Sequence, residues 1–201
     1  MSAGWLPSVE HLICRLSDPS NAEEASGFPR DPVAADQPGL YSWWADDAGL
    51  VTLAAPFAQP LPALIYAGQA GATSTRVGIV RSATLRSRIS GNHLNGNIGS
   101  STFRRTLSAI LFEPLSLAMA GSGRLDAASN KSVSVWMRQH LRLIIAPYPD
   151  RATLAHAEED VLAQLDPPLN LMGMRSSQVR VLLSDLRAQL STSPTAHRPP
   201  A

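Results

Sequence analysis

Cys14 is the only cysteine in the chain, so an internal disulfide is impossible and no zinc site can be assembled from thiolates. No apolar run approaches the ~20 residues that a membrane-spanning helix needs. The opening residues, MSAGWLPSVEHLICRL, lack the basic start and apolar stretch of an export signal, and a reducing cytoplasm is the expected compartment. Gly68 and Gly71 close the short apolar stretch LIYAGQAG, yet Ala72, Thr73 and Ser74 follow them and no lysine does. That excludes a phosphate-cradling loop of the nucleotide-binding kind. HAE at 156–158 matches half of a zinc deaminase signature, but the cysteine pair it requires is missing. No G-x-S-x-G elbow, zinc finger, helix-turn-helix signature, internal repeat or heptad pattern is present.

Acid is missing from one long stretch. Residues 48–112 hold Arg76, Arg81, Arg86, Arg88, Arg104 and Arg105 and no carboxylate, a net charge of +6. Residues 1–47 hold eight acids against Arg15 and Arg30, a net of −6, and the remainder adds +1. The formal total of +1 hides this segregation. An acid-free run of arginines expects an anion. The planar guanidinium fork suits a phosphate better than a lysine would. The plainer reading is a set of solvated helix faces paired with acids elsewhere in the fold.

With 201 residues, 44% of them apolar and 16% charged, the chain suits one soluble domain with appended helices. Ser8 caps a short helix over 9–16, and the Pro-, Asp- and Ala-rich residues 17–38 read as loop. GLYSWW at 39–44 reads as a strand in which Trp43 and Trp44 face opposite ways, one toward the core and one outward. ADDAG follows as a turn, and Pro56, Pro60 and Pro62 make 50–62 irregular or edge structure. ALIYAG at 63–68 is a second strand. ATLRSRIS at 83–90 reads as helix and GNHLNGNIGSS as loop. Ser101 or Thr102 caps a helix over 103–112 that buries Leu107, Ile110 and Leu111. Residues 121–131 read as loop and 141–146 as a third strand, stopped by Pro147 and Pro149. Asp150 caps a helix running to Leu165, DPPLN breaks it, and a last helix spans 178–190. The tail STSPTAHRPPA has the composition of a disordered segment. The order β, β, α, α, β, α, α predicts an α+β domain with a three-stranded antiparallel sheet flanked by helices.

Two glycine-flanked tyrosines stand in matching strands, Tyr41 in GLY at 39–41 and Tyr66 in YAG at 66–68. TLRSRISGNH then supplies Arg86, Arg88 and His93, and AEEDVLAQLDPPLN supplies Glu158 and, twelve residues on, Asn170. In type, order and element these residues resemble the GIY-YIG nuclease family over 39–170, and SSTFRRTLSAIL is similar to the helix that follows the histidine in bacterial members. The chain departs from the pattern in three ways. Tyr41 and Tyr66 lie further apart than in compact members, as in restriction-type ones. Alanine replaces the isoleucine of the second triplet. His93 lies five residues after Arg88 where many members have four, which puts a bulge at the helix end.

The resemblance implies a nuclease domain over 36–172, between an N-terminal flanking segment, 1–35, and a C-terminal helix and tail, 173–201. It implies divalent-metal-dependent hydrolysis of DNA phosphodiesters, with Mg²⁺ (Mn²⁺ substituting) held by Glu158. A lone carboxylate suits a single, largely hydrated ion, and a two-metal site would need more of them. Arg88, preferred over Arg86, would neutralise the phosphate. Tyr41 would act as general base, helped by His93 because a phenol of pKa about 10 is a poor base at pH 7. Tyr66 would orient water or phosphate, and Asn170 would hold the site. Spacing to Asn170 favours Glu158 over Glu159. Arg76, Arg81, Arg86, Arg104 and Arg105 are the expected nucleic-acid contacts. DNA is the expected partner, with specificity from the domain's own loops, a homodimer or a partner protein, and no membrane is involved. A restriction or phage-defence role follows by analogy alone. A silent nucleic-acid-binding module, or a nuclease subunit active only with a partner, is the alternative.

Overall fold

The computed structural model describes residues 6–73, 83–121 and 123–192. Four strands, β1 (Glu23–Glu24), β2 (Gly39–Ala45), β3 (Leu64–Ala70) and β4 (Leu141–Pro147), form one antiparallel sheet in the order β1-β4-β2-β3. GLYSWWA is almost wholly buried, and a strand apolar on both faces belongs inside a sheet with a layer on each side. Tyr41, Trp43 and Ala45 of β2 face one apolar cluster together with Leu141, Leu143 and Ile145 of β4. Leu40 faces a second cluster with Ile144 and Ala146. Alternation along the strand explains the division.

Helices α1 (Val9–Ser17), α2 (Pro32–Ala35), α3 (Asp47–Ala54), α4 (Thr102–Ile110), α5 (Ala127–His140), α6 (Leu154–Leu165) and α7 (Gln178–Thr192) surround the sheet, with a π-helix at Ser87–Leu94. Leu12 and Leu16 of α1 and Leu154, Ala157 and Val161 of α6 fill the second cluster. Phe103 and Leu107 of α4, Val133 and Met137 of α5 and Leu183 of α7 fill the first. The segments read as flanking thus contribute buried side chains at both ends of the chain.

The architecture is the expected α+β one, with one strand more than predicted. Glu23–Glu24 pairs with Leu143 and Arg142 inside the stretch read as loop, and two residues are too few to show a period. ADDAG is not a bare turn, because the Asp46 carboxylate accepts the Gly49 N–H at 2.6 Å and starts α3, which the prolines follow rather than interrupt. In the same way Asp126 accepts the Ser129 N–H at 2.6 Å and starts α5 where loop was expected. Asp150 instead closes a turn onto Ala152 N–H and the Thr153 hydroxyl, so α6 begins at Leu154. Trp44 is not exposed; it packs partly buried on the second cluster and donates its Nε1–H to Ser42 Oγ at 3.1 Å. The tail 193–201 lies outside the described residues.

Candidate active site

Register places Tyr41 opposite Gly68 and Tyr66 opposite Trp43. This explains the second triplet's glycine. A Cβ on Gly68 would stand 2.8 Å from the Tyr41 hydroxyl, so only glycine leaves the phenol its place. Gly39 serves the neighbouring strand, because a Cβ there would run into the Ala146 carbonyl. Gly68→Ala is therefore expected to displace the Tyr41 hydroxyl and lower activity by about 10²-fold, the cost of a misplaced reacting group. Its melting temperature should fall by only a few degrees, because the buried Tyr41 ring must shift and its bond to His93 is weakened. Steady-state rates beside thermal melts check this.

The π-helix settles the spacing of Arg88 and His93. Helical hydrogen bonds reaching back five residues, as Asn95 N–H to Ser90 O does at 3.1 Å, turn i and i+5 to one side. His93 therefore sits in the helix and not in a loop, fully buried, with Nε2 2.8 Å from the Tyr41 hydroxyl and Nδ1 2.6 Å from Ser101 Oγ. Ser101 also accepts the Arg104 N–H at 2.9 Å as the cap of α4. One serine thus starts a helix and orients the histidine. The capping role was legible in the sequence and the link to His93 was not.

A cleft of about 630 Å³ opens beside this group, lined by Tyr66, Arg88, Thr102, Glu158, Asn170 and Arg187 among others. Tyr66 stacks on Phe103 at 4.5 Å and shares a 3.3 Å hydrogen bond with Thr102. Tyr41 lies behind the cleft, 1% exposed. Asn170 clamps the edge strand: its Oδ1 accepts Ala67 N–H at 3.0 Å and its Nδ2 donates to Ala67 O at 2.8 Å. That fixes the chain after α6 against β3, the edge along which α6 lies.

The electrostatics follow from burial. Desolvation raises the Tyr41 phenol well above its ordinary value, against the pull of Arg88. It raises Tyr66 too. Burial, with Arg88 and Arg104 nearby, holds His93 well below the usual imidazole range, so it is neutral at pH 7. Burial pushes the Glu158 carboxyl up to about 7, opposed by Arg88 and a bond from the Gln69 backbone and aided by Glu159. Burial disfavours the Arg88 charge, but Tyr41, Tyr66 and Glu158 outweigh it. Glu159 lines the cleft too but is exposed and reaches His156 at 3.5 Å, and among the described residues no group of three or more His, Cys, Asp and Glu forms a metal cage.

The structure brings Tyr41, Tyr66, Arg88, His93, Glu158 and Asn170 together. The outer arginines fare differently. Arg86 points away and pairs with Asp36 at 2.5 Å, which favours Arg88 for the cleft. Arg104 is corrected from a nucleic-acid contact to an internal strut. It is fully buried and donates to His93 O at 2.9 Å, Asn130 and Ser134, with burial lowering its pKa to about 10. Arg105 is half-buried on α4 and is not among the residues that line the cleft. Arg76 and Arg81 lie outside the described residues. Arg187, which reaches the cleft from α7, was missed, because nothing local shows that α7 folds back along α4.

A sheet that sets two tyrosines by a guanidinium and a buried imidazole, with the Glu158 carboxylate in the adjoining cleft, has the equipment of a nuclease. Residues 39–189 match the family model described as the GIY-YIG catalytic domain, and the chain belongs to that family. No curated protein and no solved structure matches the chain. Among the described residues no helix is long and apolar enough to cross a membrane.

Proposed function

We propose that the chain is a magnesium-dependent endonuclease that hydrolyses phosphodiester bonds in DNA, with manganese able to substitute. The observation that carries this is the pair of Arg88 and Glu158 in one cleft with Tyr66, with Tyr41 buried behind it. The donor set fits a hydrated ion, because one half-buried carboxylate, Glu158, with only the exposed Glu159 beside it, leaves most of the coordination to water. Held by Glu158, and otherwise by water and phosphate oxygens, the ion would supply positive charge against the scissile phosphate and leaving oxygen.

The chain's own residues do the rest. Arg88 binds the non-bridging oxygens through its planar fork. Engaging the phosphate offsets the charge of Arg88, which relieves its share of the depression of His93, while burial and Arg104 keep the rest. We assign the Nδ1–H tautomer to His93, donating to Ser101 Oγ, so Nε2 accepts the phenolic proton of Tyr41. Tyr41 then takes a proton from the attacking water as its own passes to His93. Tyr66 orients water or phosphate from the cleft wall. Asn170 holds the loop that closes it.

A restriction or phage-defence role in the cytoplasm is the setting we propose, on the spacing shared with restriction-type members. Specificity would come from the domain's loops, a second copy or a partner. The test is cleavage of plasmid and modified phage DNA with Mg²⁺ or Mn²⁺. Metal-dependent cutting is expected, reduced about 10²-fold in Arg88→Ala, as for loss of one charge-stabilising donor. Cutting that persists in EDTA, or is indifferent to Arg88, would count against the proposal.

A further inference from the structure

We propose that Arg187 on α7 and Arg105 on α4 form a second phosphate subsite, which holds a backbone phosphate beside the scissile one. The ligand's identity rests on the nuclease reading above. Arg187 lines the same cleft as Arg88 and Glu158, and it is half-buried there. It arrives from the last helix, far from the acid-free arginine run that holds Arg105. α7 packs along α4, and Arg105 is near enough to act on the Arg187 charge.

Their surroundings suit an anion. Burial disfavours the Arg187 charge, and Arg105 disfavours it further. Arg105 Nε is buried with no hydrogen-bond partner. Two half-buried guanidiniums within electrostatic range of each other repel, and the repulsion grows as water is excluded. One diester phosphate relieves it, because its two non-bridging oxygens accept from two planar forks at once. Tyr66, Arg88 and Arg187 line the same cleft, and both guanidiniums favour the charged form of the Tyr66 phenol. A strand crossing it would place the scissile phosphate at Arg88 and the next at Arg187. Thr102 and Thr106, on the α4 side of the cleft, offer hydroxyls along the same path.

The experiment is fluorescence anisotropy of a labelled duplex in EDTA, over a range of salt, for wild type, Arg187→Gln and Arg187→Lys. Arg187→Gln is expected to weaken binding about tenfold and to reduce the salt slope by about one, the signature of one lost phosphate contact. Arg187→Lys should keep the slope and recover only part of the affinity. A single neutral methylphosphonate is then moved along the strand. One position should cost wild type about tenfold and cost Arg187→Gln nothing further. Unchanged affinity and slope in Arg187→Gln, or a methylphosphonate penalty equal in both proteins, overturns the subsite. Thermal melts show that the variant is folded. If Arg187→Gln is not, Arg105→Gln carries the same test. Coupling without any DNA cleavage would keep the subsite and remove the nuclease reading. Cleavage without coupling would do the reverse, and absence of both DNA binding and cleavage would remove both.

Discussion

Tyr41→Phe is expected to lower the rate of DNA cleavage by about 10²- to 10⁴-fold, the range for losing a positioned general base. The fold should hardly notice. The hydroxyl's hydrogen bond is to His93 Nε2 at 2.8 Å, and its loss leaves a neutral ring nitrogen without a partner. That costs about 1 kcal/mol, or about 2–4 °C in melting temperature at this chain length. His93→Ala should fall by a similar factor, because both groups lie on one proton path. The double variant should then lose little beyond either single, as groups acting as a unit do. The decisive comparison is Tyr66→Phe. Tyr66 lines the cleft while Tyr41 is 1% exposed behind it. A larger loss in Tyr66→Phe than in Tyr41→Phe would move the base to Tyr66 and reduce His93 to a buried support.

The site was more legible in the sequence than the fold around it, for a physical reason. Tyr41, Tyr66, Arg88, His93, Glu158 and Asn170 are chemical choices, and each must recur in type and order wherever this geometry is built. The elements depend on context. Asp46 and Asp126 are both helix caps here, but an aspartate in a polar stretch caps and turns equally well, and only packing decides. α5 begins on AASNK, where Ser129 and Asn130 offset the helix propensity of the alanines, and it is held by Val133, Trp136 and Met137 against the core. The five-residue step from Arg88 to His93 looked like a bulge and is a π-helix, so the irregularity was visible and its form was not. Charge misled at Arg104. Six arginines without an acid read as one surface, yet backbone carbonyls and Asn130 satisfy one of them inside the protein. Arg187 shows the converse. It is an ordinary helix residue until α7 lies against α4, and no spacing in the sequence announces that contact.

Glu158→Gln is expected to do two opposite things, and together they separate a metal ligand from a structural acid. Cleavage should fall by about 10³-fold or more, because several kcal/mol of charge stabilisation rests on this carboxylate. Stability of the metal-free protein should rise, but only at higher pH. The folded-state pKa is raised, from 4.5 to about 7, so the native protein binds this proton more tightly than the unfolded chain does. Below about pH 4.5 both states are protonated, and glutamate and glutamine should be equivalent. As pH rises toward 7 the wild type loses stability, because its half-buried carboxyl resists ionising, and above 7 the deficit is constant. At about 1.4 kcal/mol per unit the ceiling is roughly 3 kcal/mol. Water entering the cleft discounts it to about 1–2 kcal/mol, several degrees in a melt. Melts in EDTA at pH 5 and pH 8 read the difference directly, and adding Mg²⁺ at pH 8 should close it from the wild-type side alone. A structural acid gives the other pattern: if its bond from the Gln69 backbone and its attraction to Arg88 were what held the fold, Glu158→Gln would melt lower at pH 8 and ignore the metal. Residues that bind charge for catalysis are held where charge is costly, and at Glu158 that cost can be measured as stability recovered when the charge is removed.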